Sequence, residues 1–377
     1  MTDDLRLHGS LIGRAARDQL NTPVLVIDRE ALDRNLARMA DYARVRGVAL
    51  RPHAKTHKSV DLARRQIAAG AIGVCCAKLG EAEALADGGI ARLLLTSPVV
   101  SPAGIQRLVA LAARVDELIV VVDHPDNAAA LAAAAERPLD VLVDIDPGIR
   151  RTGVASPDAA VALARRIRGL PQLRYRGVQM YCGIQQHIER FAEREAAIRD
   201  RMAYLAQVLE RLVADGARPE IVTGAGTGTH RIDAAIGLLT EWQVGSYLFM
   251  DRQYADCDLT GDGSAPFEYA LFVDARVVSS NTPGQATIDA GFKALATDGG
   301  LPVIVAGAPA GATYRFMGDE HGAVIDREGR HVWRNGDLVR LAVPHCDPTV
   351  NLYDSYHVFA GDTLEAIWPV SARGRGR

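Results

Sequence analysis

Arg51-Pro52-His53-Ala54-Lys55-Thr56-His57-Lys58-Ser59 follows a short apolar run, Val48-Ala49-Leu50, and precedes an amphipathic segment that starts near Ser59. That order places the stretch at the C-terminal end of a strand, just before a helix. Alternate residues of a strand share a face. His53, Lys55 and His57 are therefore expected to point the same way, with Lys58 outside the row. A lysine held in a pocket among imidazoles can have its pKa lowered toward neutrality, and the free amine is the form that makes a Schiff base. The same spacing also suits a basic strand end that faces water, or an anion site.

The pattern continues outward from this stretch. Residues 22–27 read as a strand, and Asp28 is placed to cap a helix over 29–46 that Gly47 ends. Further strands are expected at 48–55, 71–76, 92–96, 118–123, 140–146, 175–182, 219–224 and 243–250. Helical runs lie between them, among them 59–69, 102–114, 157–168 and 187–215. Eight strands alternating with helices predict an α/β fold, a (β/α)8 TIM barrel. A doubly wound open sheet shares the alternation, but the first strand-helix turn lacks the G-x-G-x-x-G of a dinucleotide site. From about residue 261 the helical period fades. Short strands are expected at 271–278, 286–290, 303–305, 338–343 and 356–359, separated by Gly, Pro and pairs such as Asn335-Gly336. The expected domains are a barrel over 22–260 and a C-terminal β-rich domain over 261–377.

Of the 377 residues, 48% are hydrophobic and 24% charged, an ordinary globular balance. A net charge of −3 gives no reason to expect nucleic acid or an anionic membrane as partner. The first ten residues carry Asp3, Asp4, Arg6 and His8 around no apolar core, which argues against a signal peptide, and no run of about 18 apolar residues suggests a membrane span. The five cysteines, Cys75, Cys76, Cys182, Cys257 and Cys346, are odd in number with two adjacent. They read as thiols of a cytoplasmic protein, not a disulfide framework.

If the barrel forms, its C-terminal mouth gathers Lys55, Asp146 with Arg150 and Arg151, and the segments 181–187, 224–229 and 243–251. Gly224-Ala225-Gly226-Thr227-Gly228-Thr229 has the chemistry of a phosphate cradle: glycines let N–H groups approach an anion, and a following helix adds its dipole. A flexible turn has the same composition. His345 and Asp347 stand two apart. On an extended segment both face one side and Cys346 the other, and one imidazole with one carboxylate suits Mn²⁺, Mg²⁺ or Zn²⁺ with open positions.

The stretch around Lys55 resembles the pyridoxal-phosphate (PLP) lysine motif of the D-threonine aldolase and D-serine dehydratase family, a branch of the alanine-racemase-like fold. Gly73-Val74-Cys75-Cys76-Ala77-Lys78, Gly224-Ala225-Gly226-Thr227-Gly228, Gly245-Ser246-Tyr247-Leu248-Phe249-Met250-Asp251 and His345-Cys346-Asp347-Pro348-Thr349 match the family in the same order. The resemblance runs from about Thr22 to the end. It implies that Lys55 holds pyridoxal 5'-phosphate, that Gly226, Thr227, Gly245 and Ser246 bind its phosphate, and that Arg151 meets the phenolic oxygen. It places Tyr181 against the ring and Gln243 near the pyridine nitrogen, where racemases of this fold carry arginine, making the ring a modest electron sink. His187 matches the base that takes the proton of the substrate's β-hydroxyl. His345 and Asp347 match the aldolases' divalent-metal ligands, whereas the related dehydratases carry His-x-Cys. Cys182 departs from the aldolases' histidine or glutamine, which bears on side-chain preference. The resemblance further implies a homodimer, a contribution of Asp319-Glu320-His321-Gly322 to a partner subunit, and packing of residues 1–21 with the β-rich domain.

The implied activity is a PLP- and divalent-metal-dependent retro-aldol cleavage of a D-3-hydroxyamino acid, D-threonine or D-3-hydroxyaspartate, to glycine and an aldehyde. The segment Trp368-Pro369-Val370-Ser371-Ala372-Arg373-Gly374 looks closest to hydroxyaspartate aldolases. Three alternatives share the scaffold. A D-serine or 3-hydroxyaspartate dehydratase would use Lys55 on the Cα proton and release ammonia and a keto acid. An amino-acid racemase would need a second base across the ring. A non-catalytic PLP carrier generally lacks the second domain.

Overall fold

The computed structural model describes residues 2–329 and 331–377. Strand β1, Val24–Asp28, leads into the helix Arg29–Arg46. The Asp28 carboxylate accepts from the Ala31 N–H, and Gly47, at φ +67°, ends the helix in the left-handed conformation, both as the sequence indicates.

Eight parallel strands follow: β2 (Ala49–Leu50), β3 (Val74–Cys76), β4 (Arg92–Leu95), β5 (Glu117–Val122), β6 (Leu139–Asp144), β7 (Leu173–Met180), β8 (Ile221–Gly224) and β9 (Glu241–Trp242). Their spatial order is β2-β9-β8-β7-β6-β5-β4-β3. A parallel bridge between His53 and Cys75, with the Cys75 N–H 2.8 Å from the Pro52 carbonyl, joins β2 to β3 and closes the row. The result is the (β/α)8 barrel. Cys75, Leu94, Ile119, Val121, Leu142 and Ile221, from five strands, form a separate buried cluster inside it. The alternate residues, such as Leu93, Leu95, Val120 and Val122, pack in the main core with the helices. Arg51 is fully buried. Its guanidinium grips Glu241 in two bonds of 3.0 and 3.1 Å and reaches Glu117 at 3.0 Å, tying β9 and β5 to the segment after β2.

Two expectations change. The eighth barrel strand forms at Glu241–Trp242, not over 243–250, because Gly245 (φ −123°, ψ −69°) breaks the extended run and residues Ser246–Leu248 coil into a 3-10 turn. Strand β1 forms close to where the sequence places it but is not a barrel strand. The second sheet is built from β10 (Leu271–Thr282), β11 (Gln285–Ile288), β12 (Val303–Ala306), β13 (Thr313–Phe316), β14 (Gly322–Ile325), β15 (Leu338–Ala342), β16 (Ser355–Ala360) and β17 (Thr363–Pro369). β1 lies in that sheet, antiparallel to β10 and parallel to β16. Apolar patterning marks a strand but not its sheet. Ahead of β1, Ala16 and Leu20 pack with Val26, Phe272 and Phe359, and the Gly13 N–H donates to the Leu364 carbonyl at 2.8 Å. All five cysteines are free and buried. Among the described residues, no helix is long and apolar enough to cross a membrane.

Candidate active site

The turn after β2 decides where the lysine points. His53 keeps extended backbone, but Ala54–Thr56 form a 3-10 turn that His53 caps. The alternation expected through His57 therefore stops at His53. His53 and Lys55 line a cavity of about 820 Å³ at the barrel mouth. His57 is buried elsewhere, with Nε2 3.1 Å from Gln66 Oε1 and Nδ1 accepting from the Ser59 N–H. Lys58 turns onto the Glu81 carboxylate.

Lys55 does not carry the lowered pKa that imidazole neighbours suggest. Burial opposes its charge, but the Asp347 carboxylate in contact with Nζ outweighs burial and holds the ammonium above its ordinary range. The histidines yield instead: burial pushes His53 down to about 3 and His57 down to about 4.

On the opposite wall, Gly226 and Thr227 after β8 meet Gly245 and Ser246 after β9, and all four line the cavity. The Tyr247 N–H donates to Thr227 Oγ1 at 2.9 Å and locks the two loops together. Gln186 backs them, accepting from the Gly228 N–H at 3.0 Å. A Cβ on Gly226 would stand 2.3 Å from Gln186 Oε1, and one on Gly245 would stand 2.5 Å from Thr56 Oγ1. Among the described residues, the N–H groups of Thr227 and Gly245 have no acceptor. Free amides in a glycine-tight cradle fit a phosphate. The following helix, His230–Ile236, is short, so the amides and not a helix dipole supply the attraction.

Arg151, Tyr181, His187 and Gln243 complete the walls. The Arg151 guanidinium stands 6.0 Å from the centre of the Tyr181 ring, while its neighbour Arg150 lines an adjoining cavity of about 650 Å³. His187 ends the 3-10 turn Ile184–His187 ahead of the helix Phe191–Ala214, instead of opening that helix, and its ring lies 4.4 Å from that of Tyr254. Burial, with His345 and Lys55 nearby, lowers the His187 pKa and favours the neutral imidazole.

His345 and Asp347 reach the same place from the segment that follows β15 of the second sheet. They do not share one extended segment: His345 is the last extended residue, and Cys346–Val350 form a short helix. His345 lines the cavity, and Asp347 meets it through Lys55. His345 Nδ1 is 2.8 Å from Asp298 Oδ2, which leaves Nε2 as the nitrogen open to a ligand. The Cys346 N–H and thiol both lie 3.0 Å from Asp251 Oδ2, so that thiol is committed elsewhere. One backed imidazole and one carboxylate fit a divalent ion that keeps open positions.

Other residues depart from expectation or escape it. Cys182 sits in the hydrophobic core and not on the cavity wall, so its departure from the aldolase pattern does not touch the cavity. Asp319-Glu320-His321 form an exposed turn before β14, where Glu320 pairs with Lys293. Gln179, Thr96, Tyr254 and Asp298 belong to no motif, yet the first three line the cavity and the last supports His345; Lys78, the end of the motif 73–78, lines the cavity too. Among the described residues, Asp4, His8 and His357 are the group of three whose ligand atoms lie within 4.8 Å of one another. The Asn21 N–H donates to His8 Nε2, so His8 carries its proton on Nδ1 and gives it to His357 at 2.8 Å. That proton occupies the lone pair a metal would need.

The barrel, the lysine after its first strand and the paired phosphate-type loops define a protein of the alanine-racemase type. Residues 27–253 match the family model "Alanine racemase, N-terminal domain", and residues 270–359 match "Putative serine dehydratase domain". The chain is 40% identical to the 3-hydroxy-D-aspartate aldolase of Paracoccus denitrificans (strain Pd 1222), over 95% of this chain and 93% of that one. It is 39% identical to the D-threonine aldolase of Arthrobacter sp, over 95% and 94%. The crystal structure of D-threonine aldolase from Filomicrobium marinum superposes with a TM-score of 0.90 at 39% identity, covering 95% and 96% of the two chains. The chain belongs to the D-threonine aldolase and 3-hydroxy-D-aspartate aldolase family.

Proposed function

We propose that this protein is a PLP- and divalent-metal-dependent aldehyde-lyase that cleaves D-3-hydroxyamino acids, D-threonine or D-3-hydroxyaspartate, to glycine and an aldehyde. One observation carries the reading: Lys55 of the barrel and His345 and Asp347 of the second domain meet at one cavity. In this reading Lys55 bears PLP, the Thr227 and Gly245 amides with Gly226 and Ser246 hold its phosphate, Arg151 faces the phenolic oxygen and Tyr181 packs on the ring. When bound, PLP supplies an electron sink for the charge left at Cα once the Cα–Cβ bond breaks. A metal on His345 and Asp347 lowers the pKa of a hydroxyl bound to it. His187, neutral and close to His345, accepts the hydroxyl proton at the moment of cleavage.

The reading includes a cytoplasmic homodimer and a domain boundary near residue 261, with the segment up to β1 joined to the second domain. Purified protein with PLP and Mn²⁺ would be given D-threonine, D-3-hydroxyaspartate and D-serine separately. Glycine with acetaldehyde or glyoxylate supports the aldolase. Ammonia and a keto acid without glycine would replace it with a dehydratase.

A further inference from the structure

Gln179, on β7, fixes which atom of Gln243 faces the cavity. Its Nε2 lies 3.1 Å from the Thr96 carbonyl oxygen and 2.9 Å from Asp144 Oδ1. A backbone carbonyl can only accept, so the nitrogen of the Gln179 amide belongs on that side. Its Oε1 then points the other way, where Gln243 Nε2 donates to it at 3.1 Å. The second hydrogen of Gln243 Nε2 goes to Thr223 Oγ1, also at 3.1 Å. Both hydrogens of the Gln243 amide are thus used inside the barrel wall. The atom left for the cavity is Oε1, which has no proton to give. Both glutamines are buried, 3% and 4% exposed. Turning either amide over would set two acceptors against each other, and a buried polar group left unpaired costs about 1–3 kcal/mol.

Resting on the reading of this cavity as the PLP site, we propose that Gln179 is a positioning residue: it holds Gln243 as an acceptor-only group at the pyridine nitrogen of PLP and so favours the protonated, N–H form of that nitrogen. A hydrogen bond offered only to the protonated form stabilises that form. A protonated ring nitrogen draws electrons more strongly than a bare one. The pairing therefore gives a better electron sink than a neutral glutamine implies when its partners are unknown. Behind Gln179, the carboxylate of Asp144 completes a chain of hydrogen bonds that polarise one another.

The test uses enzyme reconstituted with PLP carrying ¹⁵N at the pyridine nitrogen, examined by NMR near neutral pH. Borohydride reduction and peptide mapping check separately that PLP is attached to Lys55. In the wild type the resonance is expected at the pyridinium position. In Gln179→Met, where Gln243 is free to turn its NH₂ toward the cavity, it is expected at the unprotonated pyridine position. Gln243→Met removes the acceptor and is expected to give the same change, which serves if Gln179→Met does not fold. A pyridine-type resonance in the wild type, with Lys55 labelled, overturns the proposal. So does a pyridinium resonance that neither variant moves. PLP that never attaches to Lys55 overturns the reading of the cavity, and this inference with it.

Discussion

The ammonium of Lys55, in the turn after β2, lies against the carboxylate of Asp347, in the short helix after β15. The contact joins the barrel to the segment after β15 at the cavity. Burial works against both charges, and their pairing keeps both. Lys55 therefore competes with any other cation for Asp347. The Lys55→Ala variant should bind no PLP covalently. In the absence of PLP it should bind Mn²⁺ roughly tenfold more tightly than the wild type, since a nearby positive charge has gone. Calorimetric titration of both PLP-free proteins measures this, and equal affinities would remove Asp347 from the ligand set.

Loss of His187 should leave the cofactor in place and slow the reaction. His187→Ala is expected to lower kcat by about 10²–10⁴, the usual contribution of a positioned base, with an unchanged PLP absorption spectrum. Normal turnover would end its role as the base.

Asp298 touches His345 from behind and does not line the cavity. Asp298→Ala should weaken metal binding about 10–100-fold by freeing the imidazole to rotate and lowering its basicity. Activity should return when excess Mn²⁺ is added, which separates this role from loss of fold.

Arg51 makes a stability prediction remote from the cavity mouth. Replacing it with alanine leaves Glu241 buried without its partner, at a cost of about 3–5 kcal/mol. Urea unfolding of Arg51→Ala should show the loss as a lower midpoint.

His230 makes stability depend on pH. Burial lowers its pKa to about 4, from an ordinary 6.5. Between these values the unfolded chain binds a proton that the folded chain does not, so stability falls as pH drops from about 6.5 to about 4. The full window amounts to about 3 kcal/mol for one such group. His230→Phe should lose stability at pH 7, where the donor to the Thr227 carbonyl is gone, and should show a smaller deficit near pH 4.5. Denaturant unfolding at the two pH values measures the difference.

What could be read from the sequence was local. The Asp28 cap and the Gly47 stop follow from residue types a few positions apart, and so do the glycines of the loop after β8, whereas the role of Gly245 and Ser246 came from the family resemblance. The barrel's alternation was equally plain. The sheet of β1 was not, because its neighbours β10 and β16 are distant in sequence. Strands β13, β14 and β17 escaped because their patterning is weak; Thr313–Phe316 alternates exposed and buried only once before it ends. The turn at Lys55 and the helix at Cys346 broke an assumed extended backbone, and the partners of both residues changed with it. Gln179 illustrates the remainder. No motif marks it, since its effect lies in which end of an amide faces which neighbour.

The place of β1 between β10 and β16 also bears on how the chain is made. On a ribosome, β1 emerges before every barrel strand, and its neighbours β10 and β16 emerge after them. Every barrel strand is synthesised in between. The first strand must therefore wait, unpaired, while the barrel takes shape beside it. The second sheet can close only once β16 has been made. A fragment that begins at β10 would lack an interior strand of its own sheet.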